Sequence, residues 1–155
     1  MKKRIAIVTL IVVLLPMAGL SIMSIFSRKP TNLGVTDGRL APCPSSPNCV
    51  STQATDEQHR MEPIPFDGSS EEAIQRLKTI IEAEPRAKTV TKRPDYLHAE
   101  FTSTLFRFVD DVEFLVDTGN GVIHFRSASR AGYSDLGVNR KRMNSIRSKF
   151  EQAGD

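Results

Sequence analysis

The pattern of hydrophobic and polar positions changes period along the chain, and each period predicts a different element. Ile5 to Phe26 are 22 consecutive positions without a charged side chain, flanked by Lys2-Lys3-Arg4 and Arg28-Lys29. Roughly 20 apolar residues in a helix cross a bilayer core about 30 Å thick, so residues 1–26 predict an N-terminal signal anchor. The run exceeds the ~7–15 apolar residues of a cleaved secretory signal, although Gly19-Leu20-Ser21 would suit cleavage, and secretion after cleavage is the alternative. More basic residues precede the run than follow it, which favours a cytoplasmic N-terminus. The expectation is a single-pass protein of the inner (cytoplasmic) membrane with its C-terminal domain on the periplasmic or extracellular side. Residues 27–42, with Pro30, Gly34, Asp37, Gly38 and Pro42 and little apolar content, read as a tether. Residues 43–155 read as one exported domain.

Within that domain Ser69 stands three residues before Glu72, a capping box. Ala73, Ile74, Leu77, Ile80 and Ile81 follow at helical spacing, and Pro85 ends the helix. From Ala87 the period becomes two. Leu97, Ala99 and Phe101 alternate with His98, Glu100 and Thr102, and Val112, Phe114 and Val116 alternate with Glu113, Leu115 and Asp117. Thr118-Gly119-Asn120-Gly121 is a hairpin turn leading into a return strand, Val122 to Arg126. That register puts Ile123 and Phe125 on the face of Val112, Phe114 and Val116, and Glu113, Asp117, His124 and Arg126 on the other. Met61 to Phe66, with two prolines, reads as an edge strand. Asn139 to Gln152 places Met143, Ile146 and Phe150 on a narrow helical stripe. The fold class expected is α+β: an antiparallel sheet of about four to five strands with two helices on one face, the other face being wet or functional.

Charge changes this picture little once it is located. The net charge is +3 and the pI about 9.0, but the first 26 residues hold three of the 21 Lys and Arg and none of the 18 Asp and Glu. The exported part is therefore neutral, and no nucleic-acid partner is expected. Inside it, Arg126 to Asp155 is basic and the middle of the chain acidic, as complementary charges within one fold would be.

Cys43 and Cys49 enclose Pro-Ser-Ser-Pro-Asn. In an exported chain a close, even pair reads as a disulfide. A zinc site needs further ligands, and only His59 is near in sequence. No metal or cofactor is expected.

The densest polar tract runs from Arg126 to Arg142, from a strand end through a glycine-containing loop into a helix. Backbone N–H groups at a helix start beside arginines make an anion site, with Arg126, Ser127, Ser129, Arg130, Ser134, Asp135, Asn139 and Arg140 as candidate ligand-binding residues. Equally, Ser134, Asp135 and Asn139 are ordinary turn and cap residues, and Arg126 and Arg130 can pair with Asp110, Asp111 or Glu113. A nucleophilic triad of Ser127 or Ser129 with His124 and Asp117 or Asp135 lacks a Gly-x-Ser-x-Gly elbow. A metal site from His98, Glu100 and His124 would require strands 96–102 and 122–126 to be neighbours.

Leu40-Ala-Pro-Cys-Pro-Ser-Ser-Pro-Asn-Cys-Val-Ser-Thr52, Phe108-Val-Asp-Asp-Val-Glu-Phe114 and the tract from Arg126 to Arg142 together resemble domain-of-unknown-function family 1499 over about Leu40 to Phe150. Met143 departs from the branched aliphatic expected there. The resemblance implies a bacterial envelope-type domain, often behind a signal or anchor, with no established activity. The function expected is that of a membrane-tethered envelope domain binding an envelope protein or small anionic ligand through tract 126–142. The alternatives are an enzyme acting on an anionic substrate at that tract, and a structural envelope component.

Overall fold

The computed structural model describes residues 27–154. The apolar run Ile5–Phe26, and the anchor expected there, lie outside the described residues. No helix among the described residues is long and apolar enough to cross a membrane.

The chain is α+β. β1 (Val35–Thr36) and β2 (Arg39–Leu40) form a separate hairpin. β3 (Cys49–Ser51), β4 (Ile64–Pro65), β5 (Ala87–Lys92), β6 (Tyr96–Thr102), β7 (Val109–Asp117) and β8 (Val122–Ser129) form an antiparallel sheet. Its order is β3-β8-β7-β6-β5, with β4 also paired to β8. The sheet thus has six strands, more than alternation alone marks, because β3 and β4 are too short to show a period. They share one edge of β8 end to end: Cys49 faces Ala128, and Ile64 faces Ile123.

α1 (Ser70–Glu82) begins where the capping box predicts, with the Ser69 side chain accepting from the Glu72 amide and the Glu72 carboxylate accepting from the Ser69 amide. α2 (Val138–Gln152) follows Gly137, which adopts a left-handed conformation with φ 79°. Both helices lie on one sheet face. Ile74, Leu77, Ile81, Met143, Ile146 and Phe150 pack there against Leu97, Phe114, Ile123 and Phe125. The β7–β8 hairpin has the expected register, with Phe114 facing Phe125 and Glu113 facing Arg126.

The opposite face, expected to be wet or functional, is buried at its middle. His98, Asp111, Glu113 and Arg126 lie on it and are all buried. Part of the cover comes from residues 27–42, expected to be a tether. Leu40, with Val35 packed beside it, joins Tyr96 and Leu115 in a second small cluster. The Gly34 amide donates to Glu113 Oε1 at 2.7 Å. A short polar segment can be held this way because one buried carboxylate fixes it more firmly than a few apolar contacts would.

Cys43 and Cys49 are joined, and the ring carries Asn48. The Asn48 side chain donates to Gly132 O at 2.6 Å, and its carbonyl accepts from the Ser129 amide and Asn139 Nδ2. The disulfide therefore fastens the start of the domain to the loop before α2. Closing so short a ring removes unfolded-state entropy equivalent to about 2 kcal/mol. A Cys43→Ser/Cys49→Ser variant should lose about that much stability, read as a lower denaturant midpoint at unchanged slope; an unchanged midpoint would show that the ring holds nothing.

Candidate functional site

The outer face of the sheet carries two linked groups of buried charge. Glu113 accepts from the Tyr96 hydroxyl at 2.7 Å, from Gly34 and, at 3.4 Å, from Arg126. Asp111 accepts from Arg130 Nε at 2.8 Å and from Arg130 Nη2 at 2.7 Å, and its Oδ1 is 2.8 Å from His98 Nε2. Arg130 also pairs with Glu100. The cross-strand register explains this meeting, since His98 faces Glu113, Glu100 faces Asp111 and Glu113 faces Arg126. Burial works against ionisation of Asp111, yet the hydrogen bonds and charges of Arg130 and His98 outweigh it and hold the carboxyl below the usual range. Burial, reinforced by the Glu113 bond, pushes the Tyr96 phenol well above its ordinary value, so it stays a donor.

The candidate tract is built mostly into the fold. Arg126 and Arg130 take the pairing alternative just described. On the helix side, Arg142 binds Asp110 at 2.5 Å. Arg140 donates to the carbonyls of Gln58 and Arg60. Ser127 is fully buried and donates to Asn139 Oδ1 at 2.6 Å, while Ser129 Oγ accepts from Asn139 Nδ2 at 3.1 Å. The α2 N-terminus already holds a carboxylate: Asp135 accepts from the Gly137 amide at 3.0 Å and from the Asn139 amide at 2.7 Å. Ser134 Oγ accepts from the Leu136 amide. Ser127, Ser129 and Asn139 come together as partners of one another, Arg126 and Arg130 bond carboxylates of the sheet, and Arg140 bonds the loop at residues 58–60.

Other chemistry does not assemble. Ser127 and Ser129 alternate onto the helix face of β8 while His124 points to the other face, where Thr52 Oγ1 lies 3.1 Å from its Nδ1. β7 separates β6 from β8, so His98 and Glu100 are not beside His124. Among the described residues no group of three or more His, Cys, Asp or Glu is placed to hold a metal ion. A groove of about 730 Å³ runs between the N-terminal segment and residues 51–56, lined by Gly34, Arg39, Leu40, Ser51, Gln53 and Asp56 among others, and not by the tract.

What the tract does present is apolar. Tyr133 is 77% exposed, Leu136 87% and Val138 47%. Leu105, 68% exposed, sits in the β6–β7 connection at the same end of the sheet. The ends are adjacent because Ser129 faces Asp110 and the Arg130 amide donates to Val109 O. Leu136 and Arg107, one in each loop, hold left-handed backbone at φ 55° and 59°, a conformation that costs a residue with a Cβ about 1–2 kcal/mol. Asn48, Asp135 and Ser134 fix the second loop, so its side chains are displayed on a rigid frame. Sequence reasoning passed over Tyr133 and Leu136 because polar residues surround them. Their size within a polar loop was the available signal.

A model for the family described as protein of unknown function (DUF1499) matches residues 39–150. A search of curated proteins found no match to the chain.

Asp111 tests whether the outer-face network is structural. Its folded pKa is lowered, so its contribution is present above the unfolded carboxyl value of 3.8 and is lost as pH falls through the lowered folded value. Asp111→Asn should cost about 3 kcal/mol at neutral pH by leaving Arg130 short of its partner. The gap between variant and parent should shrink below about pH 4, as urea titrations at several pH values would record. A gap independent of pH would refute the assignment.

Proposed function

This chain belongs to the DUF1499 family, and from that premise we propose that it acts as a binding domain held at an envelope membrane by residues 1–26, with its domain on the exported side. Its contact surface is the exposed part of tract 126–142, Tyr133 to Val138, joined by Leu105. The observation that carries this reading is the pairing of high exposure with a fixed backbone. Large apolar side chains held out by a rigid loop lose little further freedom on binding, and covering each returns about 1.5–3 kcal/mol. The arginines do not favour a small anionic ligand, because Arg130, Arg140 and Arg142 are engaged within the fold and Arg126 is buried at 5% exposure. The disulfide agrees with an oxidising compartment.

A photo-reactive amino acid at position 136, compared with one at Thr118 on the far turn of the sheet, tests the surface in intact cells. Position 136 should give a discrete cross-linked product, to protein or to lipid, that position 118 does not. Products equal at both positions, or absent from both, remove the loop as a contact surface.

A further inference from the structure

We infer that the partner of this surface is the lipid surface of the membrane the chain is attached to, with Leu105, Tyr133, Leu136 and Val138 resting in the headgroup region. The inference rests on the membrane attachment and contact surface proposed above, and three further observations carry it.

The first is the direction of the chain. Val35 packs with Leu40, Tyr96 and Leu115, while Gly34, one residue earlier, bonds Glu113. Glu113 lies nearer to Val109 than Leu115 does, so the step back from Val35 to Gly34 is towards the β6–β7 connection. The other arm of the hairpin agrees, since Leu40 leads to Cys43, which is bonded to Cys49 beside Ala128. At Gly34 the N-terminal segment is therefore directed towards the end that displays the apolar loops.

The second is reach. From Gly34 back to Phe26 the chain spans at most about 30 Å, and the strand distance from Glu113 to Val109 is about 13 Å. An apolar run ending at Phe26 can enter a bilayer against which the loops lie, and cannot hold them far from it.

The third is charge. Arg86, Arg107 and Lys141 are exposed at this end, and among the described residues none of them has a carboxylate partner. The acids nearby are committed: Asp110 to Arg142, Glu100 to Arg130, and Asp135 to the α2 amides. Exposed cations without a carboxylate partner, of which Arg86 also donates to Thr102 O, stand around leucine, valine and tyrosine and match an anionic interface, where apolar side chains enter the acyl boundary and basic ones meet headgroups.

The chain has no tryptophan, so single probes can be read without background. Full-length protein would be reconstituted in vesicles of phosphatidylcholine with phosphatidylglycerol, with brominated acyl chains as quenchers. Leu105→Trp and Leu136→Trp should each be quenched at least about twofold more than Thr118→Trp, as insertion ~5–10 Å into the interface requires. Adding Arg107→Glu and Lys141→Glu should reduce that difference. Equal quenching at all three positions overturns the inference. Cross-linking of position 136 to protein, with quenching no greater than at position 118, also overturns it while leaving the contact surface standing. Alkaline carbonate extraction of the same vesicles reports attachment separately: protein that washes off contradicts the anchor itself.

Discussion

Two carboxylates that cannot reach water govern this structure. Asp111 and Glu113 stand on the outer face of the central strand, 1% and 0% exposed. Leaving either unpaired there would cost several kcal/mol. Arg130 and His98 answer the first, and Tyr96, Arg126 and the Gly34 amide answer the second. Because one donor is a backbone N–H from the N-terminal segment, the covering of that face follows from satisfying Glu113. The sheet becomes a middle layer, with helices on one side and the stretch from Gly34 to Leu40 over part of the other.

That requirement redirects the functional reading. A dense basic tract invites the idea of an ion site, but a guanidinium held by a buried carboxylate has little left for a ligand. The α2 start makes the same point, since the chain supplies its own anion in Asp135. What remains available at this end of the molecule is shape and apolar area, framed by Arg86, Arg107 and Lys141.

Much of the fold was legible in the sequence wherever local chemistry decides it. Ser69 and Glu72 mark a helix start through three residues, and Phe114 and Phe125 reveal a shared face through a tight turn. The outer face was not legible, because its cover comes from residues about 80 positions away in sequence, as Gly34 is from Glu113. Alternation told which side chains share a face and left open whether water or chain lies above it. Both roles of the arginines were visible in the tract. Choosing between them required the cross-strand register, which sets Glu100 opposite Asp111 and Arg130 just beyond Ala128. Leu136 shows a different limit: its size within a polar loop hints at exposure, but nothing around it in sequence marks the left-handed backbone that holds it.

The bond between Gly34 and Glu113 also defines how the molecule carries load. Tension arriving at Gly34 meets this bond and the small hairpin before any strand of the main sheet. Peeling the segment away would strip a donor from a buried carboxylate, so the first give is costly although it involves few residues. The helices and the inner core lie outside that line of force. The hairpin thus stands between a pull arriving at Gly34 and the sheet that displays the loops.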